Sequence, residues 1–192
     1  MYDSTQKWIF ELGPKFISSI GIKKGNIVVD FGCNEGHYTF PIAQIVGSEG
    51  KVYAIDNSES TLNDLKKESM KLGLDKFRNI ITINNNGSLR IPSIEEKTVD
   101  CLLTFDILHY LDKKERISLY KEINKILKPD GNYFVYPKHH KNDWPMWNLA
   151  DLDVKDIINE IESCGFRLTW KREFELFHYY GLNRGIVLNF SH

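Results

Sequence analysis

Two stretches of this 192-residue chain carry residue types suited to holding a charged ligand. The first, Val29-Asp30-Phe31-Gly32-Cys33-Asn34-Glu35-Gly36, sets an acid and two glycines where a β-branched run gives way to a helix-like one. Glycines at such a turn let the backbone approach a ligand and aim amides at it. Asp56 stands 20 residues beyond Gly36, at the end of the next apolar run, where a carboxylate can accept hydrogen bonds from both hydroxyls of a ribose. The spacing is G-x-x-x-G, not the G-x-G-x-x-G of a pyrophosphate loop. Asp30 would repel a diphosphate but attract an ammonium or sulfonium. The second stretch offers proton acceptors: Asp106 and His109 after one apolar run, and His139 and His140 in Pro137-Lys138-His139-His140-Lys141 after another.

These residues need elements to position them. Apolar positions from Ser4 to Ile20 predict two short helices broken at Gly13-Pro14. Strands are expected at Ile27–Phe31, Lys51–Asp56, Asn79–Ile83, Val99–Phe105 and Tyr133–Tyr136, with helices between them. Ser58 or Ser60 caps the helix that carries Leu62, Leu65 and Leu72 and stops at Gly73, and Pro129-Asp130-Gly131 closes the helix through Leu127. Five β-α alternations imply an open, mostly parallel sheet with helices on both faces, its ligands beyond the carboxyl ends of the strands. The tail breaks the rhythm. Phe166–Leu176 and Gly185–Phe190, joined around Gly181-Leu182-Asn183, read as an antiparallel edge hairpin.

Composition narrows the function classes. Hydrophobic residues at 42% and charged residues at 27% describe an ordinary folded chain of one domain. The net charge of −1 lacks the basic surplus that wholesale phosphate binding demands, so nucleic acid is disfavoured as a partner. The expectation is a cytoplasmic protein: Met1 to Leu12 lacks a signal-peptide pattern, and no apolar run spans a bilayer. The three scattered cysteines form neither a disulfide framework nor a zinc site; Cys101 and Cys164 are read as buried, and no metal site is expected.

In order and spacing the chain resembles the class I S-adenosylmethionine-dependent methyltransferases from about Gly25 to Tyr136. The family's first motif, an acid then G-x-G-x-G, is similar to Asp30-Phe31-Gly32-Cys33-Asn34-Glu35-Gly36, with Asn34 at the middle glycine position. Asp56 matches the ribose acid, Asn86-Gly87-Ser88 resembles the adenine-facing Asp-Gly pair with an amide in place of the carboxylate, and Leu127-Lys128-Pro129-Asp130-Gly131 matches the post-core motif. The cationic sulfonium and amino group of S-adenosylmethionine also suit Asp30. The resemblance implies a Rossmann-like, doubly wound, seven-stranded α/β domain over 1–192: a helical cap (1–24), a cofactor-binding core (25–137), and an acceptor-side loop, helix and edge hairpin (138–192). It implies Asp30, Gly32, Cys33, Asn34, Gly36, Asp56, Asn57, Asn86, Gly87 and Phe105 as the cofactor site.

Methyl transfer to a small-molecule acceptor is the expected activity, since no N-P-P-Y-type segment for base amines follows the fourth strand. A protein or RNA acceptor, a non-catalytic cofactor-binding module and a nicotinamide enzyme are the competing readings. A base is needed only if the acceptor loses a proton, and Asp106, His139 and His140 are the candidates. Asp106 stands either near the transferring methyl or as a helix cap; the two histidines form either an acceptor-side rim or a solvated basic loop. His109 reads as packing on a helix face. Trp8, Phe10, Trp144, Trp147, Phe177, Tyr179 and Tyr180 lie outside the core alternation, as core packing or as an acceptor pocket.

Overall fold

The computed structural model describes residues 4–74, 78–91, 93–179 and 181–192; Tyr180 lies outside them. Apolar and β-branched runs form β1 (Ile27–Phe31), β2 (Lys51–Asp56), β3 (Ile80–Asn84), β4 (Val99–Phe105), β5 (Leu127–Tyr136), β6 (Arg167–His178) and β7 (Gly181–Ser191). They make one seven-stranded sheet of order β3-β2-β1-β4-β5-β7-β6 with helices around it. The β1–β2, β2–β3 and β4–β5 pairs are parallel, and β5–β7 is antiparallel, which is the mostly parallel α/β sheet with a reversed tail that the alternation predicts. The chain divides into two compact units, Met1–Gly87 with Glu175–Arg184, and Ser88–Phe174 with Gly185–His192.

The first unit holds β1 to β3. Val28, Val29, Val52, Ala54 and Ile55 are buried whichever face they point to, as strands covered on both sides require. Helix α3 (Thr39–Val46) packs on β1 and β2, and α4 (Glu59–Lys71) on β2 and β3. The Ser58 hydroxyl accepts from the Thr61 amide at 3.2 Å, settling the cap of α4, and Gly73 ends it with a left-handed φ of 65°. Leu62 and Leu65 are buried, whereas Leu72 is half-buried past the helix end. The predicted break at Gly13-Pro14 is absent. Helices α1 (Ser4–Lys7) and α2 (Gly13–Ser19) are joined by a π-helical turn, Trp8–Leu12, in which the Gly13 amide donates to the Trp8 carbonyl. This wider turn absorbs the helical bond that Pro14 cannot make. Gly13 serves close packing, since a Cβ there would lie 2.7 Å from Pro41.

The second unit holds β4, β5, helices α5 (Lys113–Ile126) and α6 (Val154–Glu162), and most of the tail. Reciprocal capping boxes, Asp112 with Glu115 and Asp153 with Asp156, start the two helices. Pro129-Asp130-Gly131 does not terminate α5. The chain turns extended at Leu127, and β5 carries the three residues in a bulge, its register with β4 passing from Val99↔Leu127 to Cys101↔Asn132. A bulge tolerates a proline that an interior ladder position would not. Arg116 is buried; its Nε and Nη2 donate to Glu160 at 2.7 and 2.9 Å, and its Nη1 donates to the carbonyls of Leu111 and Asn148. One side chain thus ties α5 to α6 and to the segment around Asn148.

The tail strands are longer than predicted. Gly181, Leu182 and Asn183 stand in β7 rather than in the turn, while Tyr179 before them takes a left-handed φ of 55°. In the second unit Gly185 lies against the ring of Tyr136, where a Cβ would come within 2.5 Å of the aromatic carbons. Cys33 and Cys101 are buried, but Cys164 is only half-buried.

Candidate cofactor and acceptor sites

In the first unit the turn after β1 is fixed by backbone bonds. The Gly32 and Cys33 amides both donate to the Ile55 carbonyl, at 2.8 and 3.0 Å, and the Gly36 amide donates to Cys33. Gly32 and Gly36 have φ of 80° and 88°, and a Cβ at Gly36 would crowd Phe40 and Leu65 at 3.0 and 3.1 Å. Asn34 also adopts a left-handed φ, 47°, the conformation that Asn bears better than most residues. Its amide donates to Asp56 Oδ2 and the Ser58 amide donates to Oδ1, both at 3.0 Å. Asp56 is therefore clamped at the tip of β2 with lone pairs on each oxygen still able to accept from hydroxyls.

Asp30 is buried at the end of β1, where the Thr39 hydroxyl donates to its Oδ2 at 2.6 Å. Desolvation pushes its pKa up to about 6; the Thr39 bond opposes this, and the charge of Asp56 adds to it. Burial likewise pushes the Cys33 thiol up, helped by Asp30 and Asp56, so Cys33 is a neutral filler of the loop. Past β3, Asn86 and Gly87 are exposed and left-handed, at 49° and 75°; their amides are anchored to the side-chain oxygens of Asn84 and Asn85. Asn57 is exposed beside Asp56.

The second unit gathers the proton acceptors. Asp106 leaves β4 with a φ of 58°, its amide donating to the Tyr136 carbonyl at 3.0 Å. The turn Leu108–Tyr110 that follows has Ile107 at its N-cap position. Asp106 Oδ1 lies 3.6 Å from His109 Nδ1 and 3.6 Å from His139 Nε2. Both histidines are buried, their rings 4.6 Å apart at 69°. His139 Nδ1 is 2.9 Å from the Trp144 carbonyl, which can only accept, so that nitrogen carries a proton. The solvated-loop alternative does not hold: Lys138, His139 and His140 are all buried, with Lys138 Nζ on Asp143 at 2.6 Å. His140 stands outside the cluster, its Nδ1 accepting from the Asn142 amide, and burial lowers its pKa. Phe105 is buried edge-on to Tyr136.

The aromatics divide between two roles. Trp8 and Phe177 are core, stacked at 5.9 Å, with the Trp8 indole N–H donating to the His37 carbonyl. Phe10 is half-buried. Trp144, Trp147 and Tyr179 are exposed; Trp147 stacks on His109 at 5.3 Å and packs against Tyr110 at 4.8 Å. Sequence reading put His109 on a packing face, and it is buried against Trp147 while its Nδ1 also lies 3.6 Å from Asp106. The signal available was spacing, since residues three apart in a helical turn meet.

Comparison with known proteins gives the family of the chain. The profile of the methyltransferase domain matches residues 28–131, more than half of the chain. A ubiquinone/menaquinone biosynthesis C-methyltransferase of Haemophilus ducreyi is 24% identical over 89% of this chain and 73% of its own length. A probable cobalt-precorrin-6B C(15)-methyltransferase (decarboxylating) of Saccharolobus solfataricus is 35% identical over 45% of this chain; the match spans only 43% of that relative. Among solved structures, a SAM-dependent methyltransferase from Aquifex aeolicus superposes with a TM-score of 0.73 at 24% identity, covering 97% of this chain and 93% of that one. With its domain profile matched from β1 into β5, over more than half of its length, this chain belongs to the methyltransferase-domain family.

Proposed function

We propose that the chain is an S-adenosylmethionine-dependent methyltransferase that transfers a methyl group in line to a small-molecule acceptor. The observation that carries this reading is Asp56, held by the Asn34 and Ser58 amides with accepting capacity left for a ribose. Around it, Gly32, Cys33 and Gly36 shape the loop, Asp30 offsets the cationic amino acid end, and Asn57, Asn86 and Gly87 border the nucleoside, with the Asn86 oxygen accepting from the adenine amino group. The bound cofactor brings a sulfonium whose leaving group is already excellent, so the protein's task is alignment and exclusion of water. No nucleophilic side chain is required. Where an acceptor must lose a proton, Asp106, His139 and His140 are the candidates for it.

Relatives named for ubiquinone/menaquinone biosynthesis and for cobalt-precorrin-6B support a small acceptor, and the net charge of −1 weighs against nucleic acid. Among the described residues no helix is long and apolar enough to cross a membrane, which fits the cytoplasmic site we propose. Titration calorimetry with S-adenosylmethionine and its demethylated product tests the reading. Binding of both at one site per chain is expected; binding of neither, or competition only by NADH, would sink it.

A further inference from the structure

We propose that Asp106, His109 and His139 bind a divalent first-row transition metal, zinc being the best match. One ligand atom from each lies within 4.8 Å of the others, all inside the second unit. The two separations from Asp106 Oδ1, each 3.6 Å, are too long for hydrogen bonds. They are close to the roughly 3.4 Å between two ligands that share a tetrahedral ion at about 2.0–2.1 Å. The tautomer agrees. With its Nδ1 proton given to the Trp144 carbonyl, His139 turns Nε2, the nitrogen that can ligate an ion in this tautomer, toward the carboxylate. His109 Nδ1 faces the same oxygen. An ion bound by two neutral rings and one carboxylate needs no proton on either nitrogen that faces it.

Two imidazoles and a carboxylate favour zinc or a neighbouring transition metal over magnesium or calcium, which demand oxygen. Three protein ligands leave at least one coordination position, suited to water or to a hydroxyl or carboxylate oxygen of a bound molecule. Asp106 is the cluster's outward member, its side chain 29% exposed against 3% and 2% for the two histidines, with Oδ1 itself turned inward and buried. As ligands, Asp106 and His139 hold the ion rather than accept a proton. The site stands independently of the methyl-transfer reading, because its ligands and their supports, Trp144 and Tyr136, all belong to the second unit.

The test is equilibrium dialysis of the chelator-stripped full chain against zinc chloride with elemental analysis, and a parallel cobalt(II) titration read in the visible. One zinc per chain is expected, with a tetrahedral or five-coordinate cobalt spectrum. Asp106→Asn and His139→Gln should each weaken binding by at least about 100-fold, the upper end of what loss of a mere outer-shell partner costs. His192→Gln, outside the cluster, should leave binding unchanged. Circular dichroism separates lost ligation from lost folding, and Asp106→Asn, at the exposed edge, is the variant that best preserves packing. No zinc retained by the wild-type chain, or zinc retained equally by the folded Asp106→Asn and His139→Gln variants, would overturn the proposal.

Discussion

The turn after β1 meets Asp56 at the carboxyl end of β2, and the turn after β4 begins with Asp106, yet the two surround a carboxylate in opposite ways. Asp56, which faces the first turn, has each oxygen bonded to a backbone amide, supplied by residues whose positions are set by short local loops. Asp106, in the second, meets two imidazole rings, one from its own turn and one 33 residues further along the chain. Backbone amides make a fixed cradle indifferent to most substitutions, while side-chain clusters depend on every member and on whatever holds their loops. In the second unit that holder is Arg116, which reaches the Leu111 and Asn148 carbonyls from a buried ion pair.

Removing the holder should therefore separate the two regions most clearly. Arg116→Ala leaves Glu160 buried and unpaired and is expected to cost about 3–5 kcal/mol in urea unfolding. Hydrogen exchange should rise across 139–152 while the amides of Gly32 and Cys33 stay protected; equal loosening of both would break the contrast. Next in size is the titration of Asp30. Its folded pKa of about 6 lies above the ordinary 3.8, so the folded chain keeps a proton that the unfolded chain loses, and stability falls as pH rises from about 4 to 6. The ionised group then costs about 3 kcal/mol at pH 7 in the cofactor-free protein. Asp30→Asn should gain on wild type by that amount between pH 4 and 7 in denaturant titrations, whereas affinity for S-adenosylmethionine in the wild type should rise through pH 6 as the counter-charge forms.

A smaller effect tests the cradle itself. Asp56→Ala deletes two charge-assisted bonds to the loop along with the ribose acceptor, and calorimetry should show cofactor affinity reduced about 100-fold, near 2.7 kcal/mol. Binding of zinc should not change. Smallest is the left-handed Asn34: Asn34→Ala should cost about 1 kcal/mol of stability and Asn34→Gly close to none. A large loss in Asn34→Gly would mean that the amide side chain, rather than the backbone angle, is what the loop needs.

The same contrast explains what could be read from residue order. The placement of Asp30, Gly32, Gly36 and Asp56 at strand ends was legible because it follows from short-range spacing, and the left-handed Asn34 fits the tolerance of that residue type. The seven strands were legible because apolar runs and turns alternate in order. The Asp106–His109–His139 cluster was not, since it depends on where the turn after β5 returns, and on left-handed angles at Asp106 and His139 that no local pattern announces. Pro129-Asp130-Gly131 misled for a related reason: a helix stop and a strand bulge use the same residues, and only pairing with β4 distinguishes them. Gly13-Pro14 looked like a break because a π turn bridges it without leaving a trace in apolar periodicity.

The contact of Gly185 with the Tyr136 ring bears on how the tail finds its place. A Cβ at Gly185 would collide with that ring, so β7 cannot slide by one position along β5 without displacing it. Sliding by a single position would bring Arg184 or Ile186 onto the tyrosine and turn Leu188 and Phe190, now paired with Val135 and Tyr133, away from the interior. A glycine thus works as a proofreading notch, rejecting misthreaded tails during folding at a point where hydrophobic content alone would accept them.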